Sequence, residues 1–163
     1  MILTGVVFHL LKQCSIKMNK QEIINIIRGK ITDKIRYFEN LIAETRASNN
    51  DTKSSMGDKY ETGREMLQQE INNLQRQLNE TLNQQAVVQK ITSEPSGKVQ
   101  NGALVKTNKG LFYISVSLGE IVLGKEKIMT VSAESPLVKM MYGKKTGESF
   151  TINTTQQQIE NIW

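Results

Sequence analysis

Apolar residues recur through the first half of the chain at helical spacing. From Asn19 to about Ser48 no proline intervenes, and Ile24, Ile27, Ile31, Ile35, Phe38, then Leu41 or Ile42, then Thr45 follow one another three or four apart. Positions 24, 31, 38 and 45 form a seven-residue repeat with 27 and 41 as its partners, which is one seam along a helix. Lys34 interrupts the seam with a charge, and Ile35 takes over beside it. From Ala47 to Gly57 the chain is rich in Asn, Ser, Thr and Lys, so the period stops and the chain can reverse. A second helix is expected from about Asp58 to Ser93, with Leu67, Ile71, Leu74, Leu78 and Leu82 as its stripe and Glu94-Pro95-Ser96-Gly97 as its end. Two helices of roughly 30 residues make a rod of about 45 Å. The short polar link predicts an antiparallel helical hairpin, a coiled coil over residues 18–95 with its tip near 47–60. A single continuous helix in a parallel dimer is the alternative, and the polar break near Asn49 to Gly57 argues against it. The Leu and Ile stripes read as holding the hairpin together, which leaves the tip as the seat of any function of the rod.

After Pro95 the pattern changes to short β-rich segments divided by glycine turns, predicting a small α+β domain over residues 96–163. Gly102 to Lys106 and Leu111 to Ser117 flank Thr107-Asn108-Lys109-Gly110, a hairpin link with Gly110 where a left-handed residue is expected. Ile121 to Leu123 and Ile128 to Ser132 continue a curved antiparallel sheet, and Phe150 to Asn153 and Ile159 to Trp163 supply the last strands. Ser135-Pro136 reads as N-cap and first residue of one short helix that Gly143 stops. A 68-residue unit has a marginal core, so docking on the base of the rod is expected to help stabilise it.

Composition narrows the picture. The 163 residues leave no room for a multidomain enzyme, and a large buried active-site cleft is not expected. Hydrophobic residues are 38% and aromatics 6%, while Asn and Gln together number 26, a balance suited to solvated helix. The net charge of +5 is spread as +2 over residues 1–94 and +3 over 95–163, so no basic arm stands out. Lys outnumbers Arg 16 to 5, which leaves few of the planar forks suited to reading guanine and disfavours direct sequence-specific DNA recognition. Cys14 is the only cysteine and His9 the only histidine, which excludes an intrachain disulfide and a cysteine metal cluster and fits a reducing cytoplasm. The apolar run Ile2 to Leu11 is about half the length that spans a bilayer and follows no basic segment. Met18 directly precedes the first clean helical pattern, so translation is expected to start there, with residues 1–17 a disordered or misassigned extension.

The second half carries a more specific signal. Val131-Ser132-Ala133-Glu134-Ser135-Pro136-Leu137 is followed by Tyr142-Gly143-Lys144-Lys145-Thr146-Gly147-Glu148-Ser149-Phe150. This order of strand, Ser-Pro turn, short helix, Gly-Lys and Gly-acidic turn into a strand resembles the Gre family of bacterial transcription elongation factors (GreA/GreB). In the first half, the likeness lies in the hairpin architecture, in Ile42-Ala43-Glu44-Thr45-Arg46, and in Tyr60 and Arg64 at the opening of the second helix. The resemblance implies an FKBP-like sheet domain that docks on the rim of the secondary channel of RNA polymerase through Ser135, Pro136, Leu137 and Lys144. It implies a hairpin that reaches toward the catalytic magnesium, where tip carboxylates help hold a second Mg2+ and a water while the polymerase cleaves backtracked RNA. The implied protein is an accessory factor rather than an enzyme. It binds no cofactor stably, meets nucleic acid only through the elongation complex, and works as a monomer away from membranes.

The tip departs from the family pattern of an acid, two intervening residues and Glu shortly before the Tyr. In Asp51-Thr52-Lys53-Ser54 the first acid stays and Ser54 stands at the Glu position; counting back from Tyr60 places Ser54 and Gly57 at the two acid positions. Asp58 and Glu61, three apart on one helical face, are the replacement candidates for metal binding. The alternative is that they only complement the positive end of a helix dipole. Two other functions stay open: a coiled-coil adaptor with a different partner, and a prolyl isomerase whose pocket would draw on Phe112, Tyr113, Tyr142, Phe150 and Trp163.

Overall fold

The computed structural model describes residues 19–51 and 59–163; the expected extension 1–17, the start at Met18 and the tip residues Ser54, Gly57 and Asp58 lie outside the described residues. Two long helices come first, α1 (Lys20–Asp51) and α2 (Lys59–Gln89). They lie antiparallel, since Phe38 and Ile42 of α1 pack with Leu74 of α2 while Ile27 and Ile31 pack with Val88. Ile42, not Leu41, is the buried member of its pair, and Lys34 is exposed while Ile35 is buried.

Two sequence expectations for α2 are corrected. The helix ends at Gln89 rather than Ser93, with Lys90 and Ile91 donating to the carbonyls of Val87 and Val88 in a tightened last turn. Ile91 then turns inward to pack with the sheet, and a Cβ on Gly102 would meet its side chain at 3.0 Å, so that glycine is what lets the two segments approach. Leu82 is 41% exposed; the buried neighbour is Thr81, at 1%. A seam that keeps facing its partner needs a period of 3.5, and 67, 74, 81 and 88 supply it. Thr81 occupies the seam without an orphaned hydroxyl because its Oγ1 donates to the Gln77 carbonyl at 2.8 Å.

The second half is a six-stranded sheet and one short helix. β1 (Leu104–Thr107), β2 (Gly110–Ser115), β3 (Gly119–Leu123), β4 (Glu126–Ser132), β5 (Ser149–Ile152) and β6 (Thr155–Ile162) stand in the order β3-β4-β2-β1-β6-β5, with α3 (Pro136–Met141) between β4 and β5. The sheet is mostly antiparallel, as the strand pattern leads one to expect, with one parallel pair, β2 and β4, in which Tyr113 stands opposite Thr130. The chain leaves β2, runs back as edge strand β3, and returns between them as β4, a non-local arrangement that spacing cannot reveal. The β1–β2 link is also corrected: Gly110 is already paired with Thr107 as a strand residue, and Thr107 Oγ1 accepts the Lys109 amide at 3.1 Å to close the turn. Strand β6 starts four residues before the expected Ile159, because Asn153 and Thr154, at φ 46° and 65°, make the two-residue turn usually given to Asn-Gly.

Alternation along β2 sends Tyr113 to one face and Ile114 to the other, and each face has its own core. On one, Ile23, Ile24, Ile27, Ile31, Ile35 and Val88 of the hairpin base pack with Leu104, Tyr113, Val116, Ile121 and Ile128. On the other, Val138 and Met141 of α3 cover Val105, Ile114, Phe150 and Ile159. The stripes therefore join rod to sheet as well as helix to helix. Farther along the rod the apolar seam shrinks to Phe38, Ile42, Ile71 and Leu74, with Leu41 and Leu78 beside them.

Polar contacts lock the same junction. The Lys20 ammonium, on a residue 5% exposed, donates to the main-chain oxygens of Glu94 and Trp163, tying the start of α1 to the linker and to the last strand's exit. Burial pushes its pKa below the usual lysine value, and the Glu94 carboxylate partly opposes that shift. Lys30 Nζ donates to the Glu120 carbonyl at 3.2 Å, bracing α1 against edge strand β3.

Candidate functional site

The resemblance singles out two places, one at each end of the molecule. At the sheet end, Ser135 holds extended backbone (φ −65°, ψ 145°), and its Oγ accepts the Val138 amide at 3.3 Å. Pro136 follows as the first helical residue, where its missing N–H leaves no gap. Val138 and Met141 face the core, so Pro136 and Met140, four apart, share the outward face with Lys139, and Leu137 is half-buried. Gly143, at φ 76°, ends the helix in the left-handed region and donates to the Val99 carbonyl, while the Lys144 carbonyl accepts from Val99. Lys144 is thereby fixed by its backbone beside the segment at Lys98. The Glu148 carboxylate closes the following turn on the Lys145 amide. Ser135, Pro136, Leu137 and Lys144 thus lie on one connected corner built by α3 and the turn after it.

At the rod end, Asp51 is the last residue of α1 and Asp58 lies outside the described residues. Glu61 is exposed in the first turn of α2, where its charge suits the helix dipole. Among the described residues no group of three His, Cys, Asp or Glu side chains gathers to hold a metal. Glu61 by itself supplies a single carboxylate, short of the several oxygen ligands a hard divalent cation takes. Gly63, in the first turns of α2, has nothing within 4 Å of where a Cβ would sit, so close approach within this chain does not explain it.

The aromatic residues considered for a proline pocket are dispersed. Tyr113 belongs to the junction core, Phe150 to the α3 core, and Tyr142 is exposed. One open cleft, of about 600 Å³, lies at the junction between Asn19, Lys20, Ser93, Pro95 and Trp163, and none of the residues singled out above at either end of the molecule lines it. Tyr113 is fully buried and its hydroxyl has no hydrogen-bond partner among the described residues; burial raises its pKa to about 12, against a smaller lowering by Arg28. Sequence reasoning gave no sign of that orphaned hydroxyl, because the partner face of Tyr113 is supplied by the hairpin. Among the described residues no helix is long and apolar enough to cross a membrane.

No protein-family model matches the chain, and no curated protein matches it. Solved structures similar to it include GreA factor homolog 1 (Gfh1) of Thermus thermophilus, 15% identical, covering 83% of this chain and 94% of that one with a TM-score of 0.36. A structure of the transcription factor Gfh1 is 12% identical, covering 82% and 89% of the two chains with a TM-score of 0.35. Gfh1 of Thermus aquaticus is 14% identical over 82% and 92%, with a TM-score of 0.33. Superposition at these scores is loose.

Proposed function

We propose that this chain is a Gre-type accessory factor of bacterial RNA polymerase, with its sheet half docked at the rim of the secondary channel and its hairpin inserted toward the active centre. The observation that carries the reading is the Ser135-Pro136-Leu137 corner followed by the Gly143 to Glu148 turn, built on a sheet that also clamps the base of a rod. Each helix of 31 or 32 residues is about 45–50 Å long, enough to carry a tip far from the docking surface. A shared core and the Lys20 contacts hold the rod by its base, so that docking the sheet fixes where the tip points. The factor performs no bond-making of its own; it changes what the polymerase does.

The absence of the family's Glu at position 54 favours a second mode within the same reading, in which the tip occupies the channel and modulates elongation, pausing or substrate access without promoting cleavage. Purified core polymerase retained by the immobilised chain at micromolar concentration is the expected result, and no retention rejects the proposal. Transcript cleavage on a backtracked complex separates the modes. If the Asp58 and Glu61 carboxylates act in cleavage, their joint replacement by Ala abolishes it while polymerase retention is unchanged. If the wild-type chain produces no cleavage, the modulator mode holds.

A further inference from the structure

Two helices lying side by side leave grooves between them, and a groove acquires chemistry when the polar groups in its lining do not pair with one another. Near the base of the rod, α1 and α2 enclose a groove of about 310 Å³, lined by Arg28, Ile31, Thr32, Gln85, Val88 and Gln89. Residues three and four apart share a helix face, so 28, 31 and 32 form one side and 85, 88 and 89 the other. Ile31 and Val88, each 1% exposed, belong to the junction core and make the floor. Arg28, Thr32, Gln85 and Gln89 make the walls.

The walls hold donors without acceptors. No ion pair among the described residues includes Arg28, and no acid lines the groove. The side-chain amides of Gln85 and Gln89 make no hydrogen bond to another described residue. The Thr32 hydroxyl donates to the Arg28 carbonyl at 2.9 Å, so the donors left to a ligand are the Arg28 fork and the two amides. Arg28 also stays close to the core, since its charge lowers the pKa of the fully buried Tyr113 against the larger raising by burial.

Other clefts of the molecule that carry cations lack this combination. In the cleft at Asn19 and Trp163, the Lys20 ammonium is already bound to the Glu94 and Trp163 main-chain oxygens. In a cleft of about 460 Å³ between α1 and the β2–β3 loop, Asp33 lies beside Lys30 and Lys34, and Lys30 is engaged by the Glu120 carbonyl. The Arg28 groove has one cation, neutral donors and no acid. One positive planar fork matches the two oxygens of a carboxylate, and the amides donate to their remaining lone pairs. Phosphate, at up to two negative charges, meets only the one cation. The volume lies near the lower end of ligand pockets, which run from about 300 to 1,000 Å³, so a whole small molecule fits.

We propose that this groove binds a small organic monocarboxylate, with its head on the Arg28 guanidinium and the Gln85 and Gln89 amides and its short body over Ile31 and Val88. Such a ligand bridges α1 and α2 at the level where both pack on the sheet, so occupancy stabilises the base of the rod by mass action. The assignment is independent of the polymerase reading, and neither falls with the other.

The test is a titration of the full-length, isotope-labelled chain with butyrate, butyramide and inorganic phosphate, at constant ionic strength and read by NMR. Butyrate is expected to shift the Gln85 and Gln89 side-chain amides and the Arg28 Nε resonance saturably, with a Kd of about 1–10 mM for so small a ligand. Butyramide, its neutral analogue, should bind at least about tenfold more weakly, and phosphate at least about threefold. Arg28→Gln should lower butyrate affinity at least about tenfold, and Gln85→Ala with Gln89→Ala about threefold. Arg28→Lys keeps the charge and loses the fork, so its affinity should fall between the parent and Arg28→Gln. These residues are exposed or half-buried, so ligand-free melts of the variants should lie within about 2 °C of the parent. No saturable shift up to about 50 mM butyrate, equal binding of butyramide or phosphate, or full affinity in Arg28→Gln overturns the assignment.

Discussion

The two ends of the rod are built from different materials. At its base, α1 turns a continuous set of isoleucines, 23, 24, 27 and 31, into a core shared with the sheet, and every one of them is at most 1% exposed. Farther out, the seam holds Phe38, Ile42, Ile71 and Leu74, interrupted by Thr81, and the faces around it are Asn, Gln and charge. Burial of apolar area is the main source of stability, so opening free energy must fall from base to tip. A hairpin made this way is held firmly where it joins the sheet and more weakly farther out. The isoleucine cluster accounts for the first, and the amide-rich composition for the second.

The largest effect is expected at the base. Ile31→Ala removes a fully buried side chain from the junction and should cost about 3–4 kcal/mol, lowering the melting of helix and sheet signals together in a single transition. Separate transitions for the two would mean that the shared core is not what couples them. Leu74→Ala in the outer seam should cost less, about 2–3 kcal/mol, and hydrogen exchange should show the loss confined to the outer turns of α1 and α2 with the sheet amides unchanged.

Tyr113 probes the base from its polar side. Its folded pKa of about 12 lies above the ordinary 10.0, so the neutral form is favoured in the folded state. Stability from this group is complete below pH 10 and is lost as pH rises from 10 to about 12, by roughly 2–3 kcal/mol in all. Tyr113→Phe should abolish that alkaline loss, measured as urea unfolding midpoints across the range. Because the hydroxyl has no partner among the described residues, the same change at pH 7 should be neutral or stabilising by about 1 kcal/mol. A clear loss at pH 7 would show that the hydroxyl is satisfied.

Smaller gains are expected away from the junction. Thr154 is a β-branched residue held at φ 65°, so Thr154→Gly should stabilise the β5–β6 hairpin by about 1 kcal/mol in thermal melts. Gly63→Ala meets open space and should firm the start of α2 by about 0.5–1 kcal/mol. If that substitution also weakens the proposed action on the polymerase while raising helix content, fraying of the first turns of α2 contributes to that action.

The sequence was most informative where local chemistry decides. The isoleucine period marks α1, and Ser135-Pro136 with Gly143 marks α3 and its caps, because capping needs only neighbours in the chain. It was least informative where distant segments decide. Leu82 outranks Thr81 on hydrophobicity, yet the partner helix selects the position that keeps a 3.5 period and a hydroxyl that can bond back to Gln77. Thr155 to Gln158 carries no apolar alternation, and only pairing with β5 makes it strand. The corner at Ser135, Pro136, Leu137 and Lys144 was legible as a run of residues. The exposure of Met140 and Tyr142 beside it was not, since a period cannot say which face of a six-residue helix the core leaves bare.

Both ends of the molecule act together if the docked sheet aims the rod at the active centre of the polymerase. A photo-cross-linker carried at Asp51, the last residue of α1, measures this directly on a stalled elongation complex. Cross-links to the RNA 3′ end or to polymerase residues around the catalytic magnesium are expected. Cross-links only to the outer surface of the polymerase, with binding intact, would show that the rod is not aimed there.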